Sequence, residues 1–128
     1  INAKLHHLEN KIKFFNIDID KFNSNKYDLV ISNPPYVNKI DLNRLDDDVR
    51  LHEPRSALYG GITGFDEIRK VINKSSKLLK YNGKLIIEIG NGQKSCAIKI
   101  LKENGFYIKE IRKDLSGKDR CIVSIKIR

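Results

Sequence analysis

Methionine is absent from all 128 residues, and the chain starts at Ile1. A sequence of that kind reads as part of a longer reading frame, with a segment preceding Ile1. Cysteine is nearly as scarce. Cys96 and Cys121 lie far apart and neither belongs to a Cys-x-x-Cys pair, which offers no zinc site and fits a reducing, cytoplasmic compartment. His6, His7 and His52 lack ligand spacing, so no metal is expected. No apolar run approaches the ~20 residues of a membrane-spanning helix, and no signal-peptide pattern is visible. Internal repeats and low-complexity tracts are missing too. What the chain has in excess is positive charge: Lys+Arg 25 against Asp+Glu 16 gives +9. That is compatible with an anionic partner, nucleic acid included, and equally with a solvated Lys-rich surface, because net charge speaks to association and not to fold. The length allows one domain at most.

Hydrophobic periodicity predicts the elements. Asn2 to Glu9 reads as the tail of a helix, Lys11 to Ile17 as a short strand ending at Asp18, and Tyr27 to Ser32 as a strand. Val37 to Gly61 is a long irregular stretch, of a length that inside a compact domain is usually functional or disordered. Gly64 to Leu79 repeats apolar residues at helical spacing, and Asn82-Gly83 predicts a turn. Lys84 to Ile89 is a mostly apolar strand, and Gln93 to Asn104 a helix stopped by Gly105. Phe106 to Ile111 and Cys121 to Ile127 alternate as strands, joined by a connection too short for a helix, so they are expected to pair antiparallel. Strand–helix alternation ending in an antiparallel strand predicts an α/β, doubly wound, mostly parallel sheet.

The residues with the most chemistry follow the Tyr27 strand. Leu29-Val30-Ile31 runs into Asn33-Pro34-Pro35-Tyr36, at the carboxyl end where functional groups of such sheets collect. A planar amide or exocyclic amino nitrogen is a poor nucleophile because its lone pair is delocalised. Alkylating it requires acceptors for its N–H groups that also turn the lone pair toward an electrophile. The Asn33 side-chain oxygen and the Pro34 carbonyl are candidates for those acceptors. Two prolines fix φ and bias the residues before them, so the carbonyls point in set directions. Tyr36 offers a flat face for stacking and for nearby positive charge. The same four residues also fit a plain strand-to-turn exit.

Asn33-Pro34-Pro35-Tyr36 resembles the signature of S-adenosylmethionine-dependent methyltransferases acting on planar nitrogens of adenine, cytosine or glutamine. The next segments narrow the resemblance: Asp48-Val49-Arg50, His52-Glu53-Pro54-Arg55, Ala57-Leu58-Tyr59-Gly60-Gly61 and Gly64, then Leu85 to Gly90 with Gln93, and finally Asp114 to Arg120. Over almost all 128 residues the chain is similar to the release-factor glutamine methyltransferases (the PrmC/HemK family). That resemblance implies a partial Rossmann-like class I methyltransferase sheet whose first strands are missing, residues 1–128 being the C-terminal portion of the catalytic domain. It implies methyl transfer from S-adenosylmethionine, leaving S-adenosylhomocysteine, to the glutamine of the Gly-Gly-Gln motif of a peptide chain release factor. By resemblance, Asn33, Pro34, Pro35 and Tyr36 hold the substrate amide and carry catalysis, and Asn33 also lies beside the cofactor. Asp18 accepts from the adenine amino group and Ile19 packs on its ring; Asp18 also fits a strand-end turn. Glu88 sits near the site mouth or is a polar strand end. Arg50 and Glu53 order the long loop or are a solvated pair, and Gly60 and Gly61 are turn glycines.

Two family features are not in these 128 residues: the glycine-rich cofactor loop and the acid that holds the ribose hydroxyls. Weak cofactor binding by the chain alone is therefore expected. Glu88-Ile89-Gly90-Asn91-Gly92 superficially resembles such a loop, but Lys94 stands where a third glycine belongs and no ribose-binding acid follows. Alternatives are a ribosomal-protein glutamine methyltransferase, a DNA adenine or cytosine amino-methyltransferase, and an RNA-binding remnant without turnover. A base-modifying enzyme must extrude its base and usually carries a recognition insert, for which there is no room. The sheet edge left by missing strands invites pairing, so self-association or pairing of the Lys11 and Tyr27 strands is expected.

Overall fold

A computed structural model describes residues 1–24, 26–38 and 54–128, with the Arg55 side chain excepted. The strands are β1 (Tyr27–Ser32), β2 (Leu79–Glu88), β3 (Phe106–Lys113) and β4 (Asp119–Lys126), in the spatial order β1-β2-β4-β3. β1 runs parallel to β2, while β4 is antiparallel to both β2 and β3. The sheet is thus mixed, and the antiparallel terminal hairpin stands as the sequence predicts. Among the described residues four helices accompany it: α1 (Asn2–Leu5), α2 (Arg55–Leu58), α3 (Asp66–Leu78) and α4 (Lys94–Glu103).

The core lies between one face of the sheet and the two longer helices. Ile68, Val71 and Ile72 of α3 and Ala97, Ile100 and Leu101 of α4 meet Leu85, Ile87, Ile89, Phe106 and Ile122. Their i, i+3, i+4 spacing forms the apolar stripe that a surface helix must bury. The strand residues between them point the other way, since side chains alternate across a strand. In register across the sheet, Ile31 pairs with Ile86 and Ile86 with Val123, a row outside the main cluster. At its β1 end this second face is open: Leu29 is 45% and Ile31 69% exposed.

Four expectations change. Lys11 to Ile17 is not a strand, and Phe14 and Phe15 are exposed. A strand is held by a hydrogen-bonded neighbour, and among the described residues the only one paired with β1 is β2, so the Lys11 and Tyr27 segments do not pair. The first helix stops at Leu5 instead of Glu9, with Leu5 and Leu8 exposed. So short a helix is marginal without a surface to pack on. Asn82-Gly83 does not close the helix with a turn but lies inside β2. Its turn chemistry appears instead as an irregularity: Asn82 has φ 63°, and the register jumps from Tyr27↔Leu79 to Leu29↔Lys84. Within the predicted long loop, α2 forms and Val37 bridges Tyr59. Asp46 to Arg50, His52 and Glu53 lie outside the described residues. Among the described residues, no helix is long and apolar enough to cross a membrane.

Candidate active site

β1 delivers Asn33 to its carboxyl end with the side chain exposed, while Pro34 is buried and Pro35 and Tyr36 are half-buried. Among the described residues nothing hydrogen-bonds the Asn33 carboxamide. The two prolines have no N–H, so the segment cannot be held by its own donors there. It is fastened downstream instead. The Val37 N–H donates to the Leu58 carbonyl at 2.9 Å, and the Gly60 N–H returns to the Val37 carbonyl at 2.9 Å. Gly60 has to be glycine, because a Cβ there would sit 2.6 Å from the Pro35 oxygen and 2.7 Å from the Tyr36 Cα.

The Tyr36 hydroxyl donates to Glu88 Oε1 at 3.2 Å, linking the end of β1 to the end of β2. Burial first, then the Glu88 charge, pushes the Tyr36 phenol above its ordinary value, with Arg120 opposing. The phenol is therefore protonated, and a donor, throughout the neutral range. Arg120 donates through Nη1 to the Ile89 carbonyl at 3.0 Å and through Nε and Nη2 to Asp114 Oδ2 at 3.1 and 2.9 Å. The Asp114 carboxyl is held below its usual range by the Lys118 N–H first and Arg120 second. This ties the β3–β4 turn to the end of β2. Beside Tyr36 opens a cleft of about 370 Å³, lined also by Thr63, Phe65, Asn91 and Gln93.

The structure thus brings Asn33, Pro34, Pro35, Tyr36 and Glu88 together. Asp18 and Ile19 lie elsewhere. Asp18 Oδ1 accepts the Asp20 N–H at 3.0 Å, and the turn they form faces α3, where Lys70 Nζ is 3.6 Å from Asp20 Oδ2. Among the described residues no hydrogen bond joins this turn to Asn33–Tyr36. Gly61 has φ 94° and is a turn glycine as expected. Residue-by-residue reasoning missed the roles of Gly60, Gly64, Gly90, Gln93 and Arg120, all of which act on the clamp from a distance in sequence. Their one visible signal was inclusion in the motifs that carry the family resemblance.

The family model described as Eco57I restriction-modification methylase matches residues 1–92. A release factor glutamine methyltransferase of Clostridium acetobutylicum is 36% identical over 98% of this chain and 45% of its own. A ribosomal protein uL3 glutamine methyltransferase of Francisella tularensis is 38% identical over 72% of this chain and 29% of its own. The chain spans less than half the length of these curated relatives. Among solved structures, an O-methyltransferase family protein from Burkholderia thailandensis superposes with a TM-score of 0.59 at 15% identity, covering 98% of this chain and 39% of that one. At that identity the likeness is one of fold, and it is a partial Rossmann-like methyltransferase fold. The chain belongs to the family of the Eco57I restriction-modification methylases, and along nearly its whole length it is a homologue of proteins named release factor glutamine methyltransferase.

Proposed function

We propose that this chain is the C-terminal portion of the catalytic domain of an S-adenosylmethionine-dependent protein-glutamine N-methyltransferase. Its substrate is the glutamine of the Gly-Gly-Gln motif of a peptide chain release factor, and its place of action is the cytoplasm. The observation that carries this reading is an exposed Asn33 carboxamide, without a protein partner among the described residues, on a proline-fixed strand exit beside a braced tyrosine. Asn33 and the Pro34 carbonyl accept the N–H groups of the target carboxamide and turn its nitrogen lone pair outward. Pro35 fixes that geometry, Tyr36 stacks on the amide plane, and Glu88 holds the Tyr36 hydroxyl. When bound, S-adenosylmethionine would supply the methyl group from its sulfonium, with S-adenosylhomocysteine and one amide N–H proton released. Of the residues proposed to hold it, Asn33 fits, exposed beside the clamp; Asp18 and Ile19 lie in a turn against α3 that no hydrogen bond joins to the clamp among the described residues.

Arg50 and Glu53, which follow the clamp in sequence, complete the proposal as residues that order the segment after it. The release-factor relative matches 98% of the chain, including Asp114 to Arg120, whereas the methylase family model ends at residue 92. That favours protein over DNA as substrate. DNA amino-methylation is the second reading, favoured by the family description and the +9 charge. The polypeptide carrying this chain, given labelled cofactor, is expected to label a release factor. Label appearing in duplex DNA or in ribosomal protein uL3 instead would reject the assignment.

Self-association is part of the proposal, supported by the β1 edge, which pairs with no second strand among the described residues, and by the exposed Leu29 and Ile31. Sedimentation equilibrium is expected to give a dimer that Ile31→Lys returns to monomer. A monomer at every concentration tested removes this part.

A further inference from the structure

We propose that Gln93 is a positioning residue for the clamp, fixing the carbonyl of Tyr36 and through it the direction in which Asn33 and Pro34 present their oxygens. The inference rests on the reading that this clamp holds a carboxamide. Gln93 is 8% exposed, and its amide is fully used: Nε2 donates to the Tyr36 carbonyl at 3.1 Å and to the Gly64 carbonyl at 3.0 Å, while Oε1 accepts the Gly90 N–H at 2.8 Å. Three segments meet on one side chain: the exit of β1, the loop before α3 and the turn between β2 and α4.

The sequence of the clamp makes such an outside donor necessary. Pro34 and Pro35 have no N–H to anchor them, so the segment is gripped just beyond them, at the Tyr36 carbonyl. Gly64 and Gly90 provide the close approach. A Cβ on Gly64 would lie 2.6 Å from the Tyr36 oxygen, and one on Gly90 would lie 2.8 Å from the Tyr36 ring. An amide is the only neutral side chain that offers two donors and an acceptor in one plane. Any replacement leaves at least one buried backbone group without a partner.

The test uses isotope-labelled chain, with Gln93→Met to fill the same space without hydrogen bonds and Gln93→Glu to keep the acceptor for Gly90 but remove both donors. Residual dipolar couplings across Asn33–Tyr36 and the Tyr36 carbonyl shift are read against those of β2 and β4. Titration with a Gly-Gly-Gln peptide follows. Both variants are expected to keep the β2 and β4 couplings, change those of the clamp, and bind the peptide about tenfold more weakly, as one orphaned buried group predicts. Clamp couplings identical to wild type in either variant overturn the proposal, whatever the peptide does. A wild-type chain that ignores the peptide rejects the carboxamide reading, and the couplings still decide the role of Gln93. Should Gln93→Met fail to fold, Gln93→Glu alone carries the same comparison.

Discussion

Asn33→Ala is expected to lower methyl transfer by roughly 10²–10³-fold, the loss seen when one preorganised hydrogen-bonding group is removed from a developing charge. The charge here is positive and grows on the amide nitrogen as its lone pair is committed to the new bond. The acceptor's value lies in already pointing at the N–H, so no reorganisation is needed during reaction. Alanine keeps the backbone, and with it the Pro34 carbonyl, so the remaining rate is that of a half-clamp. Stability should change by less than about 0.5 kcal/mol, because the side chain is exposed. Cofactor affinity is expected to stay largely intact. Turnover of a release factor by the polypeptide carrying this chain, measured alongside a denaturant melt, checks both halves. Near-normal turnover would remove Asn33 from the mechanism. An equal loss of turnover and stability would make the residue structural.

The clamp was legible in the sequence because its chemistry is local: four consecutive residues at a strand end, two of them proline. The helices were legible for a related reason, since Ile68, Val71, Ile72 and Leu78 repeat at the spacing of one buried stripe. β1, the Lys84–Glu88 part of β2 and the terminal hairpin read correctly because their apolar residues have helices or neighbouring strands to meet, whereas the start of β2 at Leu79 was hidden by the turn signal of Asn82-Gly83. Lys11 to Ile17 has the same strand-like pattern but no neighbour in the sheet among the described residues, and a pattern cannot supply one. The bracing of the clamp was illegible for the opposite reason. Gln93 reaches Tyr36 across 57 positions and Glu88 reaches it across 52, so no local window contains both partners. In the sequence Gly60 reads as a turn residue, Gly64 as the start of a helix and Gly90 as part of a decoy loop. Only the fold shows two of them pressed against the clamp backbone and the third against its ring. Asp18 marks a further limit: a strand-end acid and a turn acid have the same sequence signature, and here the carboxylate closes a turn on Asp20.

The second large effect is one of stability and tests that bracing directly. Gly64→Ala is expected to cost about 2–4 kcal/mol, combining left-handed backbone strain with an overpacked contact. The backbone part follows from φ 78° at Gly64. The contact part follows from a Cβ that would sit 2.6 Å from the Tyr36 carbonyl oxygen and 3.0 Å from Gln93 Nε2. A flexible side chain could swing away, but the Tyr36 carbonyl belongs to a proline-stiffened segment that the Val37–Leu58 and Gly60–Val37 hydrogen bonds also hold. Gly92→Ala separates the two contributions. Gly92 has nearly the same backbone, φ 76°, and nothing within 4 Å of a would-be Cβ. It should therefore lose only the backbone part, about 1–2 kcal/mol. The difference between the two midpoints in a denaturant titration measures how tightly the loop before α3 is pressed onto the clamp. Equal losses would mean that the carbonyl yields, and a clamp whose carbonyls yield that easily could not aim an amide nitrogen.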